Sequence, residues 1–127
     1  AAQIPLYGKI AAGTPIEAIA NETETLSVPY DMVSRGQFYA LKIEGDSMKD
    51  AGILNGDTAI IKKADTANNG EIVVALVDNN EATLKVLQKK GGEVWLVPCN
   101  SEYETRKLDA RRVKVQGVLS SLIRNYH

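Results

Sequence analysis

Ser47 is the first residue of this sequence whose setting suggests chemistry. It lies in Gly45–Met48 (GDSM), directly after an apolar run. A serine that follows a strand and a glycine-containing bend can present its hydroxyl at a sheet edge, where the following backbone N–H groups can point at a developing oxyanion. Serine is also a favoured N-cap residue, so Ser47 could instead cap a short helical segment over Met48–Leu54. The local pattern leaves nucleophile and cap as alternatives.

Lys85 is the candidate base for such a serine. Strand alternation over Ala82–Gln88 places Thr83, Lys85 and Leu87 on one face, and both faces carry apolar side chains that could bury the lysine. Burial disfavours the ammonium form and lowers a lysine pKa from about 10.4 toward neutrality. A neutral lysine can accept the hydroxyl proton of a serine. The alternative is an ordinary lysine on a solvated strand face.

Other catalytic and metal-binding chemistries lack the residues that they need. The only histidine is the terminal His127 and the only cysteine is Cys99. A Ser-His-Asp triad would therefore depend on a chain end, and the usual zinc patterns have too few ligands. The glycine-rich phosphate motifs GxxxxGK[ST] and GxGxxG are absent from the sequence. We therefore expect no metal and no cofactor, and a hydrolase built on this chain needs a lysine or carboxylate base.

Composition predicts one domain over residues 1–127. With 44% hydrophobic residues, the chain can bury a core of its own. Fifteen basic and sixteen acidic residues leave a net charge of −1, which argues against a free-standing nucleic-acid binder. A lone cysteine, no membrane-length apolar run and no signal peptide predict a cytoplasmic location without membrane contact. Ala1–Tyr7 resembles a cut point inside a longer protein, so we expect an upstream domain to be missing.

Short apolar runs separated by turn residues predict a mostly β fold. Their spacing is typical of antiparallel sheets that form a partly open barrel or sandwich, with little helix beyond a turn in Ser47–Leu54. Gly13–Asp31 has no clean period and is predicted to be a mobile, partly extended connection. Ala11–Pro15 (AAGTP) has side chains small enough to enter a narrow groove as an extended segment, although it could also be a plain loop. The predicted strands are Gln37–Glu44, Asp57–Lys63, Glu71–Val77, Ala82–Gln88, Glu93–Pro98 and Arg112–Ile123.

An ordered set of short motifs resembles the LexA-type family of self-cleaving proteins, the S24 serine peptidases. The resemblance extends from Ile4 to Tyr126 and implies the LexA and signal-peptidase-like β fold. The set is far more specific than any one tetrapeptide. Its members are Ile10–Gly13, Gly45–Met48 with Asp50 and Gly52, Asn55–Asp57, Gly70–Val77, Thr83–Lys85, and Val97–Pro98 with Asn100.

The resemblance implies a role for several of these residues. Ser47 matches the family nucleophile, Lys85 the general base, and Ala12–Gly13 the scissile bond, while Thr83 matches a position near the dyad. The backbone N–H groups of Ser47 and Met48 would form the oxyanion hole. The expected function is cleavage in cis, within a transcriptional repressor of the DNA-damage (SOS) response, when a RecA–single-stranded-DNA filament favours the docked, cleavable form.

Partners and subtype also follow from the resemblance. Val113–Tyr126 resembles the family's dimerisation strand, which predicts a homodimer. Operator DNA would be bound only through a winged helix-turn-helix domain preceding this one. The Ala12–Gly13 pair resembles LexA and some phage repressors, whereas Asp46 resembles the UmuD-type polymerase-accessory subunits. A non-catalytic dimerisation module, with Ser47 and Lys85 vestigial, is the alternative of a different class.

Overall fold

A computed structural model describes residues 1–11, 14–15 and 24–126, and its architecture is mostly β, as predicted. Helical structure in the described residues is limited to three short 3₁₀ turns, at Tyr30–Met32, Lys49–Ala51 and Ala110–Arg112. No helix in this part of the chain is long and apolar enough to cross a membrane. The strands are β1 Ala2–Ile10, β2 Thr14–Pro15, β3 Glu24–Val28, β4 Phe38–Ile43, β5 Thr58–Lys63, β6 Ile72–Val77, β7 Glu81–Lys90, β8 Glu93–Val97, β9 Arg106–Asp109 and β10 Val113–Ile123.

The strands form one mixed sheet in the order β3-β1-β4-β5-β10-β6-β7-β8-β9, with β2 paired to β7. The end strands β3 and β9 do not pair with each other, so the sheet stays open. The predicted antiparallel pairing holds throughout the described strands except between β1 and β4, which are parallel. A parallel pair needs a long crossover connection, and the residues between the two strands, including β3, provide one.

All six strands predicted from the sequence are present, with ends that differ by at most two residues. The prediction for Gly13–Asp31 was wrong in part, because Glu24–Val28 is a regular strand that pairs antiparallel with β1. The predicted mobility of that segment concerns mainly residues outside the described part. The helical turn expected in Ser47–Leu54 is confirmed as a single 3₁₀ turn, Lys49–Ala51.

The sheet curls so that distant strands share one core. The largest cluster of buried side chains draws from β1, β4, β5, β6 and β7 and includes Met48 from the bend after β4. Its buried members are Ile10, Leu41, Ile43, Met48, Ile53, Ala59, Ile61, Val74, Ala82 and Leu84. Burial of this apolar surface holds the bend after β4 against β7, the two places in which the candidate catalytic residues lie.

An ion pair between the buried Asp57 and the more exposed Arg124 fixes the chain that follows this bend. Asp57 is 1% exposed. Its carboxylate accepts hydrogen bonds from Arg124 Nε at 2.7 Å, from Arg124 Nη2 at 2.8 Å and from the Leu54 backbone N–H at 2.8 Å. Arg124 also donates to the Gly52 carbonyl at 2.8 Å. The pair therefore ties the residues after β10 to the loop before β5.

We expect Asp57→Asn to destabilise the domain by about 2–3 kcal/mol at neutral pH, because the new amide turns a donor toward Arg124. The hydrogen bonds from Arg124 hold the pKa of Asp57 below its usual value of 3.8. A lowered folded-state pKa stabilises the fold above the unfolded-state value, and this stabilisation is lost as the pH falls through the folded-state value. Urea unfolding at pH 7 and pH 3 measures both effects.

Asp78→Asn is the matched control. Asp78 accepts two hydrogen bonds from Arg112, at 2.9 and 2.8 Å, but both side chains are 47% exposed. Its φ of +54° is also one that asparagine tolerates well. A loss of stability at Asp78 as large as that at Asp57 would contradict the importance of burial for the Asp57 pair.

Candidate active site

Ser47 lies in a tight bend between β4 and the Lys49–Ala51 turn. Gly45 opens the bend with a φ of +86°, a conformation that favours glycine, and its N–H donates to Asn55 Oδ1 at 2.9 Å. The N-cap of the 3₁₀ turn is Met48, without a side-chain capping bond. The N-cap alternative for Ser47 was therefore wrong. Ser47 is 9% exposed, and its hydroxyl faces β7 instead.

Lys85 reaches Ser47 from the middle of β7. Its side chain is 6% exposed, so the alternative of an ordinary lysine on a solvated face was wrong. The Nζ group donates to Thr83 Oγ1 at 2.7 Å, to the Leu84 carbonyl at 3.0 Å and to Ser47 Oγ at 3.3 Å. The structure thus brings together the three side chains that the sequence singled out, Ser47, Thr83 and Lys85.

Burial changes the acid–base behaviour of Lys85. Desolvation, followed by the positive charge of Arg106, lowers the pKa of Lys85 from 10.5 to about 8, while Cys99 acts weakly in the opposite direction. With a pKa near 8, roughly a tenth of the molecules hold a neutral amine at pH 7. A lysine on a solvated surface would be neutral in far fewer molecules, so this site can supply a base near neutral pH.

Arg106→Gln should raise the pKa of Lys85, because it removes a nearby positive charge and leaves Glu81 without the 2.8 Å ion pair that it makes with Arg106. The ¹³Cε chemical shift of Lys85, followed by NMR across pH, measures the change. Lys107→Gln is the control, since it removes the same charge from the same strand, where Lys107 lies over the Trp95 ring. An equal rise in both variants would mean that the effect of Arg106 is not local.

The residues on either side of the implied scissile bond also lie at this site. Ile10 and Ala11 line a small recess with Ser47, Met48 and other residues. The Ile10 carbonyl accepts a hydrogen bond from the Glu44 N–H at 2.9 Å. Beyond the bond, Thr14 pairs with Ala82 on β7, three residues before Lys85. Ala12 and Gly13 themselves lie outside the described residues.

Residues 5–120 match the family described as Peptidase S24-like. The chain belongs to this family. It is 56% identical over 126 residues to the LexA repressor of Granulibacter bethesdensis, covering 99% of this chain and 52% of that protein. It is 54% identical over 124 residues to the LexA repressor of Pelagibacter ubique, covering 98% of this chain and 55% of that protein. The chain thus spans about half the length of these relatives.

The family membership confirms the resemblance that the sequence motifs indicated, and it makes this a domain of a peptidase family with LexA-type relatives. Sequence reasoning missed two parts of the site. Arg106 was not singled out, although its charge acts on Lys85. Asn100 was noted only within a motif, and nothing in its spacing showed that it contacts the bend that carries Ser47.

Proposed function

We propose that this chain is the self-cleaving serine peptidase domain of a LexA-type repressor, in which Ser47 attacks the Ala12–Gly13 bond with Lys85 as general base. The observation that carries the proposal is the buried contact at 3.3 Å between Lys85 Nζ and Ser47 Oγ. The lowered pKa of Lys85, about 8, makes the amine available as a base near neutral pH. With a lysine as base and backbone N–H groups to stabilise the oxyanion, the proposed reaction needs no metal and no cofactor.

The contacts of Lys85 suit it to take a proton from Ser47. A neutral amine has two N–H donors and one lone pair. Thr83 Oγ1 and the Leu84 carbonyl can accept both N–H groups, which leaves the lone pair for the hydroxyl proton of Ser47. Thr83 therefore acts as a positioning residue for the base.

The reaction then proceeds in two steps. Ser47 Oγ bonds to the Ala12 carbonyl carbon as its proton passes to Lys85, and the backbone N–H groups of Ser47 and Met48 stabilise the oxyanion. Lys85 next gives the proton to the Gly13 nitrogen as the peptide bond breaks. Lys85 then takes a proton from a water molecule as the water oxygen attacks the Ala12 ester carbonyl, and it returns this proton to Ser47 Oγ as the ester bond breaks. Because the substrate belongs to the same chain, its effective concentration is high.

The wider biology of the proposal follows the family. A RecA–single-stranded-DNA filament would favour the cleavable form in the DNA-damage response, in the cytoplasm, and operator DNA would be bound by a separate helix-turn-helix domain. A homodimer would form along β10. This strand lies between β5 and β6, but β6 pairs only with residues up to Val118. The backbone edge of residues 119–123 that faces away from β5 has no strand partner in the described residues and is the part open to a second copy.

The test is a time course of the purified chain, analysed by gel and mass spectrometry from pH 6 to pH 10. We expect two fragments that meet at Ala12–Gly13. Their rate of formation should rise about tenfold between pH 7 and the alkaline plateau, with a midpoint near the pKa of Lys85, because only the neutral amine is a base. Added RecA filaments should raise the rate at pH 7, and Ser47→Ala should prevent cleavage under every condition.

Other outcomes would point elsewhere. An intact wild-type chain at every pH would contradict the proposal and favour the non-catalytic dimerisation module. Cleavage that persists in Ser47→Ala would indicate a contaminating protease. Cleavage at the expected bond combined with binding to a lesion-bypass polymerase would favour the UmuD-type subunit over the repressor.

A further inference from the structure

Two consecutive peptide groups around Ser47 are held by the loop between β8 and β9. The Asp46 carbonyl accepts a hydrogen bond from Asn100 Nδ2 at 2.9 Å, as well as one from the Lys49 N–H at 3.1 Å. The Ser47 carbonyl accepts a hydrogen bond from the Cys99 N–H at 2.9 Å. Both carbonyls therefore point toward the same two residues of one loop.

The planarity of the peptide bond turns this anchoring into a statement about the N–H groups. In a trans peptide the C=O and N–H bonds point in opposite directions. Fixing the Asp46 carbonyl therefore orients the Ser47 N–H, and fixing the Ser47 carbonyl orients the Met48 N–H. Both N–H groups point away from the β8–β9 loop, and neither has an acceptor within the part of the chain that the structure describes.

Asn100 is itself held rigidly. Its side chain is 5% exposed, and its Oδ1 accepts a hydrogen bond from the Glu102 N–H at 2.9 Å. Since a backbone N–H can only donate, this contact fixes the oxygen end of the amide and leaves the Nδ2 end for Asp46. The Asp50 N–H also donates to the Cys99 carbonyl at 2.8 Å, which ties the loop to the bend in the reverse direction.

We infer that Asn100 is a positioning residue for the oxyanion hole, acting with the Cys99 N–H to aim the Ser47 and Met48 N–H groups at the scissile carbonyl. The inference rests on the proposed self-cleavage. It assigns to the β8–β9 loop a role separate from that of Lys85, because the loop donates hydrogen bonds to the carbonyl side of the bend, whereas the Lys85 amine bonds to Ser47, Thr83 and the Leu84 carbonyl. Loss of the Asn100 donor leaves the Asp46 carbonyl with only the 3.1 Å hydrogen bond from the Lys49 N–H, so the Asp46–Ser47 peptide is held less firmly and its N–H is misdirected.

Asn100→Asp tests the inference, because it keeps the shape and the acceptor for Glu102 but replaces the donor with a second acceptor. We expect the plateau rate of self-cleavage above pH 9 to fall by roughly 10- to 100-fold. This decrease is no larger than the one expected when an oxyanion donor is removed altogether. A carboxylate near Lys85 raises the pKa of the amine, so the expected change is a lower plateau and not merely a shifted midpoint. A variant that reaches the wild-type plateau at a higher pH would contradict the inference.

Asn55→Asp is the matched control. It makes the same chemical change in another asparagine that hydrogen-bonds to the bend carrying Ser47, but Asn55 is exposed and serves Gly45 only as an acceptor, a role that the carboxylate keeps. Its plateau rate should stay within about twofold of the wild type. Equal losses in the two variants would overturn the inference, since an added negative charge alone would then explain them.

A second measurement does not depend on whether the Asn100 variant folds. In the uncleavable Ser47→Ala domain, NMR scalar couplings across hydrogen bonds should link Asn100 Nδ2 to the Asp46 carbonyl carbon. They should also link the Cys99 backbone nitrogen to the carbonyl carbon of residue 47. Absence of both couplings would overturn the inference. A wild-type rate in Asn100→Asp would overturn the inference while leaving the proposed function intact. By contrast, a wild-type chain that never cleaves would defeat the proposed function itself.

Discussion

Replacing Lys85 with methionine is expected to abolish self-cleavage and, at the same time, to stabilise the fold at neutral pH. Methionine fills the same space without a base, so the rate should fall by at least about a thousandfold, the size of effect seen when a nucleophile loses its base. The stability gain follows from the buried charge. Lys85 is 6% exposed and has a pKa lowered from 10.5 to about 8.

The sign of the pH dependence follows from that pKa. Below pH 8 both folded and unfolded chains carry the ammonium, and the folded chain bears its desolvation cost. Between pH 8 and pH 10.5 the unfolded chain binds more protons, so the free energy of unfolding rises with pH by up to about 3 kcal/mol. The hydrogen bonds lost from Thr83 and Leu84 reduce the gain, so we expect Lys85→Met to add about 1–3 kcal/mol at pH 7.

The stability measurement is made in the Ser47→Ala background, where no cleavage interferes. Urea unfolding at pH 7, 8, 9 and 10 is compared with and without Lys85→Met, because the difference isolates this lysine from the other groups that titrate. Lys63→Met is the control, as Lys63 is exposed at the end of β5 and should shift stability by less than about 0.5 kcal/mol. A Lys85→Met variant that cleaves, or that is less stable at pH 7, would contradict the assignment of Lys85 as a buried base.

The interior strands could be predicted from the sequence because each is an apolar run between turn residues. Four strands could not. β3 and β9 are the two ends of the strand order. Each of them buries only one residue, as in RKLD of β9, so the apolar pattern that would predict a strand is weak. β1 contains Pro5, which a central strand rarely tolerates. The two residues of β2 are too few for any pattern.

The chemistry of the site could be anticipated further than its geometry. The residue types and the family motifs indicate Ser47 and Lys85, but these residues are 38 positions apart and meet only because the sheet curls around a common core. Whether Lys85 is buried could not be decided locally, since strand alternation leaves both faces of β7 apolar. Asn100 could not be predicted as a positioning residue, because its acceptor is the backbone carbonyl of Asp46, 54 positions away. Every residue has such a carbonyl, so the identity of the residue at position 46 gives no sign of the contact.

β10 joins the two halves of the sheet, and Gly117 is the position at which it can least tolerate a side chain. The strand lies between β5 and β6, so it links the half that bears Ser47 to the half that bears Lys85. A Cβ atom on Gly117 would lie 2.4 Å from Ile61 Cγ2, 2.8 Å from the Lys62 carbonyl oxygen and 3.0 Å from the Tyr39 hydroxyl. The backbone contact cannot be relieved by a rotamer change, so β10 and β5 must separate locally.

We therefore expect Gly117→Ala to destabilise the domain by about 3 kcal/mol or more, as overpacking of a filled site does. Gly92→Ala is the control, since a Cβ there meets nothing within 4 Å and should leave stability unchanged within about 0.5 kcal/mol. Urea midpoints measured in the Ser47→Ala background decide the matter, and equal midpoints for the two variants would show that β10 shifts without cost. Self-cleavage gives a second readout. The contact between Ser47 and Lys85 depends on the spacing between the two halves of the sheet, which β10 sets. Gly117→Ala should therefore slow self-cleavage even under conditions in which the domain remains folded.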